Sequence, residues 1–384
     1  MACVSRPYCG SRKSGTPRRA IALPCHCRRS KRRLPEASHS LPASENGSRP
    51  SPSVASASFS NEKAASPFHR ADSPWLAAAC SSRHTLGRSP IDIIMDTTRD
   101  DLKFALITPS YAPDFERCKL LVESVERCLT DESRHYIVVD HRDVDLFRQL
   151  TSSKVCLLVV EELLPPWIYR VPTSKGWWMS HRTRPIRNWI LQQLVKISVC
   201  DAIDENVLVF CDSDCAFVRP FDIKSRLVKD NRLALLKVDV QNEDVHVWTE
   251  ASKRILGIEG KVVHPATYIS NMIAWYKPNI LKMRSWIEET NGTGWIQVLC
   301  QYGNFSEYML YGVFVDHVLG LEAANHFLFD AELIKPSWSA PLHTEAQIRD
   351  FFDQVTESHI GVMIHSKDNI PVSAYSGRIR DFWP

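Results

Sequence analysis

Apolar and polar positions follow two rhythms along the chain from about residue 103 onward, one of strands and one of helices. Residues 103–107 form a short apolar run that predicts a strand, with Thr108-Pro109-Ser110-Tyr111 as the loop after it. Asp114 stands where it can cap a helix over 115–129, in which Cys118, Leu121, Val122 and Val125 recur at helical spacing. Residues 135–139 predict a second strand ending at Asp140, 144–150 a helix, and 155–160 a third strand ending at Glu161-Glu162. Strands alternating with helices predict an α/β fold, a mostly parallel, Rossmann-like sheet flanked by helices.

Residues 167–187 break the rhythm. They are aromatic and basic, with Gly176-Trp177-Trp178 and four arginines after Tyr169, and are expected to form a substrate-facing loop. A helix over 188–200 follows, with Ile190, Leu191, Leu194 and Ile197 on its inner stripe and Gln192, Gln193 and Lys196 as polar members. Lys196 reads either as a solvated lysine or as a cation aimed at a neighbouring diphosphate. Farther on, the pattern predicts a helix over 223–229, a strand over 233–238 and a polar segment running to Thr249. A strand over 268–276 containing Asn271, a helix over 281–289, a helix over 305–320 capped by Ser306, and a strand over 360–364 ending at His365 complete the series.

The chemistry centres on residues 206–220. Val207-Leu208-Val209-Phe210 is apolar throughout, as suits a strand buried on both faces, and it meets Asp212-Ser213-Asp214. Two carboxylates closing a buried strand carry a desolvation cost that a divalent cation offsets, and oxygen ligands favour Mg or Mn. Ligands of open α/β sheets collect outside the carboxyl ends of the strands. As strand residues, Asp212 and Asp214 would share one side of the sheet, with Ser213 turned away. Asp-Ser-Asp is also good turn chemistry, and that reading stays open from the residues alone. A phosphohydrolase that opens on an apolar strand with DxD is disfavoured, since Ala216 replaces the expected Thr or Val and a long α/β stretch precedes the motif.

Composition adds a division of the chain. Residues 1–94 hold 15 Lys+Arg against 5 Asp+Glu, the remainder 32 against 39. The first segment is rich in Ser, Pro and Arg without hydrophobic period and is expected to be disordered, with 95–384 as the folded domain. It reads as an organelle transit peptide, as a basic arm for nucleic acid or anionic lipid, or as sequence ahead of a true start at Met95. The first of these would place the protein in an organelle; otherwise a cytoplasmic location is expected. No apolar run reaches the roughly 20 residues of a membrane span. Seven cysteines after residue 94, without a CxxC pair, are expected to be buried free thiols of a reducing compartment.

The opening strand ending in TPSY, the helix before the central strand, DSD, NFSEYMLYG at 304–312 and a last strand ending in His together resemble glycosyltransferases of the GT-A fold. The likeness covers roughly residues 103–370 and is nearest to bacterial glycosyltransferase-like proteins that are mostly uncharacterised. The resemblance implies a Mn or Mg ion held by Asp212 and Asp214, with His365 completing the coordination. It implies Glu307 as the base taking the acceptor hydroxyl's proton, with Asp316 a weaker candidate on the same helix. Thr108, Tyr111, Asp140, Lys196 and Asp212 are the expected residues around the nucleotide. The expected activity moves a sugar from a nucleoside-diphosphate donor to a hydroxyl on a glycan, lipid or small molecule, with no nucleic-acid partner for the folded domain. The alternative is a module that binds the nucleotide-sugar without turnover. The aromatic, basic stretch matches no part of the family pattern.

Overall fold

The computed structural model describes residues 102–171, 176–240, 242–264, 266–338 and 342–384. The expected disordered segment over 1–94 and the start at Met95 lie outside the described residues.

Strand β1 (Phe104–Pro109) runs into helix α1 (Phe115–Cys128), followed by β2 (Arg134–Val139) and β3 (Val155–Val159). Three short strands come next, β4 (Ile168–Arg170), β5 (Trp177–Ser180) and β6 (Ile186–Arg187). Helix α2 (Asn188–Ser198) leads to β7 (Val207–Phe210) and β8 (Cys215–Phe217). Beyond them lie α3 (Glu243–Leu256), β9 (Ile273–Tyr276), α4 (Lys277–Asn291), α5 (Glu307–Val313), β10 (Ile334–Pro336) and β11 (Gly361–Met363).

The central sheet has the order β9-β7-β1-β2-β3, parallel except for the edge strand β9. Alternation along its strands feeds two cores. Ala105 and Ile107 of β1, with Leu208 and Phe210 of β7, enter the core shared with α2 through α5. Phe104, Leu106, Val207 and Val209 enter the opposite one, against α1. This is why these strands read as unbroken apolar runs: neither face meets water. A second sheet, β10-β11-β8, brings the end of β11 beside Cys215 through the pair Met363–Cys215.

Several expectations change. Where a loop is expected, β4, β5 and β6 pair antiparallel into a small sheet. The segment to Thr249 is not merely polar. Glu243 and Asp244 give it an acidic first turn, but Val245, Trp248, Ser252 and Ile255 are buried at helical spacing in α3, between Asn242 as N-cap and left-handed Gly257. Asp114 makes no cap bond to α1, because its carboxylate faces Arg117 at 3.3 Å instead. Ser306 does cap α5, accepting from the Met309 N–H at 3.4 Å. The helix expected over 305–320 keeps α form only to Val313 and continues as π-helix over Phe314–Leu319. All seven cysteines among the described residues are free. No helix among the described residues is long and apolar enough to cross a membrane.

Candidate functional site

Strand order reverses about β1: its continuation passes to β2 and β3 on one side, while β7 lies on the other. A crevice opens at such a point, outside the carboxyl ends of the strands. Here it is lined by Ser110 and Tyr111 after β1, Asp140 after β2, and Asp212, Ser213 and Asp214 after β7. The Cys211 N–H still bonds Ile107 O at 3.0 Å, extending the parallel pairing. The chain then turns, with the Cys215 N–H donating to Asp212 O at 3.1 Å. The turn chemistry of DSD is thus present, and the turn presents both carboxylates to the cleft. The expectation that Ser213 faces away does not hold, because the turn interrupts strand alternation and Ser213 also lines the cleft.

The two carboxylates have different surroundings. Burial pushes the Asp212 carboxyl up, but the Lys196 ammonium, 3.3 Å from Oδ1, outweighs this and holds it below the usual range. Asp214 accepts the Ser366 N–H at 3.2 Å, yet burial and the neighbouring charge of Asp212 push it up to about 7. Asp114 also lines the cleft, raised by burial against the pull of Arg117, with the charge of Asp212 adding to the rise. The floor of the cleft thus concentrates negative charge.

Lys196 is not a solvated lysine, nor does it line the cleft. It is 3% exposed and lies behind the DSD turn. Its ammonium reaches Glu307 Oε1 at 3.0 Å, donates to Tyr308 Oη at 2.6 Å and sits 4.2 Å from the Tyr308 ring centre. Burial alone would lower its pKa, but Asp212, Tyr308 and Glu307 outweigh burial and hold it well above the usual value.

The other expected residues divide. Tyr111 and Asp140 line the cleft. Thr108 does not; it is fully buried, and its hydroxyl pairs with His135 Nε2 at 2.8 Å. As the last residues of β1 alternate, Thr108 turns into the sheet and the loop after it reaches the cleft. Glu307 is also absent from the lining, with its carboxylate on Lys196 and its N–H on Gln193 Oε1 at 3.0 Å. His365 comes close in the chain, since its neighbour Ser366 holds Asp214, but its ring packs against Trp338 with centroids 4.9 Å apart. Asp316 is taken up by Lys237 and Tyr268, both at 2.7 Å.

The β4–β6 sheet supplies a wall that residue-level reading placed near substrate without assigning its parts. Arg170 bonds Asp140 and lies over the Trp178 ring, 4.7 Å from its centre, and both line the cleft with Asn188 and Gln192 of α2. Arg142 adds a second contact to Asp140 at 3.2 Å. Burial still raises the Asp140 carboxyl despite the two guanidinium groups. The run of arginines and tryptophans was the available signal; the pairing of Arg170 with Asp140, 30 positions away, was not visible in it.

Among the described residues, no three His, Cys, Asp or Glu side chains converge as a metal-holding group. Two carboxylates are nonetheless the usual protein share for Mg-type ions, which take remaining ligands from substrate phosphates and water. The donor set fits an ion bound together with a diphosphate.

No curated protein matches the chain. Similar solved structures include an active-site mutant of LgtC, at 12% identity and TM-score 0.39, covering 72% of this chain and 94% of that one. Mouse xyloside xylosyltransferase 1 in its apo form is similar at 12% identity and TM-score 0.38, over 70% and 100%. The galactosyltransferase LgtC in complex with donor and acceptor sugar analogues is similar at 14% identity and TM-score 0.37, over 72% and 94%. Residues 91–384 match the family described as "Family of unknown function (DUF6492)", and the chain belongs to that family.

Proposed function

We propose that the protein is a GT-A-like glycosyltransferase that uses Mn or Mg to move a sugar from a nucleoside-diphosphate donor to a hydroxyl acceptor. The observation that carries this reading is the DSD turn, which closes a parallel strand and presents Asp212 and Asp214 to the cleft at the point where strand order reverses. When bound, the ion offsets the charge that develops on the departing diphosphate.

The protein's own groups have separate tasks. Asp212 and Asp214 hold the ion, and Ser366 keeps the Asp214 carboxylate oriented. Tyr111, Asp140 and the Arg170–Trp178 wall bound the space for the nucleoside, where flat groups pack on aromatic and guanidinium planes. Glu307 holds Lys196 rather than taking the acceptor's proton, because its carboxylate is 7% exposed and turned to that ammonium.

Thermal-shift measurement with UDP, GDP, ADP and CDP, each with and without Mn, tests the reading. Stabilisation by one nucleoside diphosphate that grows with Mn is expected. Release of sugar from the matching donor then separates a transferase from a module that only binds. A chain indifferent to all four diphosphates, with and without Mn, would sink the proposal.

A further inference from the structure

Lys196 is a fixed positive charge directly behind the DSD turn. Its three hydrogens have three acceptors, namely Asp212 Oδ1 at 3.3 Å, Glu307 Oε1 at 3.0 Å and Tyr308 Oη at 2.6 Å. Only 4% of its side chain is exposed, so neither water nor a rotamer change readily removes the charge. Asp212, by contrast, keeps 30% of its side chain open. An ion arriving alone would thus meet two carboxylates, one of them already engaged at one oxygen and partly neutralised. A nucleoside diphosphate brings the further negative oxygens that this arrangement withholds.

We infer that Lys196, held in place by Glu307, makes divalent-ion binding at Asp212 and Asp214 conditional on the nucleoside diphosphate. The inference rests on the proposed function and makes Lys196 a positioning residue, since it acts through Asp212. Glu307 moderates the effect by sharing the ammonium. By linkage, the factor by which the diphosphate raises ion affinity equals the factor by which the ion raises diphosphate affinity. An ordered, interdependent site of this kind keeps the protein free of ion until donor arrives.

The test is the affinity of Mn, read from the free-ion electron paramagnetic resonance signal, for the full chain alone and with UDP or GDP. The double variant Lys196→Met/Glu307→Gln removes the ammonium and its buried partner together, leaving no orphaned charge. It should bind Mn alone severalfold more tightly, because the ammonium touches Asp212 whereas the Glu307 carboxylate lost with it reaches Asp212 only through that ammonium, and the coupling should shrink. Glu307→Gln alone should do the reverse, because Lys196 then serves Asp212 undivided: Mn alone binds more weakly and the coupling grows. Lys196→Arg, which keeps the charge, should retain coupling.

A double variant whose affinity for Mn alone is unchanged or lower overturns the inference while leaving the proposed function standing. Should circular dichroism show that variant unfolded, Glu307→Gln decides, and an unchanged or higher affinity for Mn alone overturns the inference. A wild-type chain that binds Mn under no condition overturns the proposed function and this inference with it.

Discussion

The backbone N–H of Ser366 donates to Oδ2 of Asp214 at 3.2 Å, tying the end of β11 to the DSD turn across 152 positions of the chain. The adjoining Ile364 N–H donates to the Asp214 carbonyl at 3.0 Å, so the turn is held by backbone as well as by side chain. Asp214→Asn keeps an oxygen for Ser366 and should fold. What it loses is charge, so most of the stabilisation by Mn with UDP or GDP should disappear, by the mass-action relation between binding and stability. His365→Ala should leave most of that response and instead lower the melting temperature, since the ring packs on Trp338. Differential scanning fluorimetry reads both. A wild-type metal response from Asp214→Asn would reduce the DSD to turn chemistry and remove the centre of the proposed function.

Arg170 carries the wall of the cleft. It is bonded to Asp140, stacked on Trp178 and only 14% exposed in its side chain. Arg170→Ala leaves Asp140 with Arg142, whose side chain is 55% exposed and therefore a weaker partner. Nucleoside-diphosphate affinity measured by calorimetry should fall by about tenfold or more, the scale of one lost charge-assisted contact. Arg170→Lys should not restore it, because a lysine offers neither the planar stack nor the forked donors. Undiminished affinity in the alanine variant would move the nucleoside elsewhere in the cleft.

What could be read from the sequence follows contact range. The buried strands β1, β2 and β7 show in the pattern because burial on both faces makes each an apolar run, and Asp212 and Asp214 follow directly from β7. The short β4–β6 strands do not show, because Trp177 and Arg187 point outward and dilute the alternation, and their pairing joins residues with no local signal. The burial of Lys196 does not show in the sequence for a related reason. A polar residue on a helix reads as exposed until its partners are known, and here Asp212 and Glu307 lie 16 and 111 positions away. Thr108 and His365 were close in sequence to the right loops but turn into the sheet and onto Trp338.

Gly312 marks a close crossing that a single methyl group should spoil. A Cβ there would lie 2.1 Å from Tyr268 Cγ and 2.6 Å from Tyr268 Cβ, inside any tolerable contact. Tyr268 has no room to withdraw, being 2% exposed and bonded through its hydroxyl to Asp316 at 2.7 Å. Alanine improves helix propensity over glycine by about 1 kcal/mol, but overpacking of a closed core costs about 3 kcal/mol or more. Gly312→Ala should therefore be net destabilising by about 2 kcal/mol in denaturant titration. A neutral result would mean that Tyr268 shifts freely and that the crossing is not tight.

Two buried histidines give the fold a pH dependence of definite sign. His135 is fully buried beneath Thr108, and burial lowers its pKa to about 3. His326, equally buried, lies between the Ala324 carbonyl at 2.7 Å and the Tyr311 hydroxyl at 3.2 Å. Burial lowers it to about 4, in spite of the carbonyl's opposing pull. In the unfolded chain both rings take up a proton near pH 6.5. Below that pH the unfolded state binds more protons than the folded one, so stability rises with pH. The contribution is complete above pH 6.5 and is lost progressively as pH falls toward the folded values of about 4 and 3. Between pH 7 and pH 5 each ring should cost the fold on the order of 2 kcal/mol. His135→Gln has no such proton to take up. It should be less stable than wild type at pH 7, where it loses a fitted ring, yet lose about 2 kcal/mol less on going to pH 5. Urea unfolding of both proteins at the two pH values measures the difference. Parallel losses would show that His135 is protonated in the folded chain, contrary to its burial and its bond to Thr108.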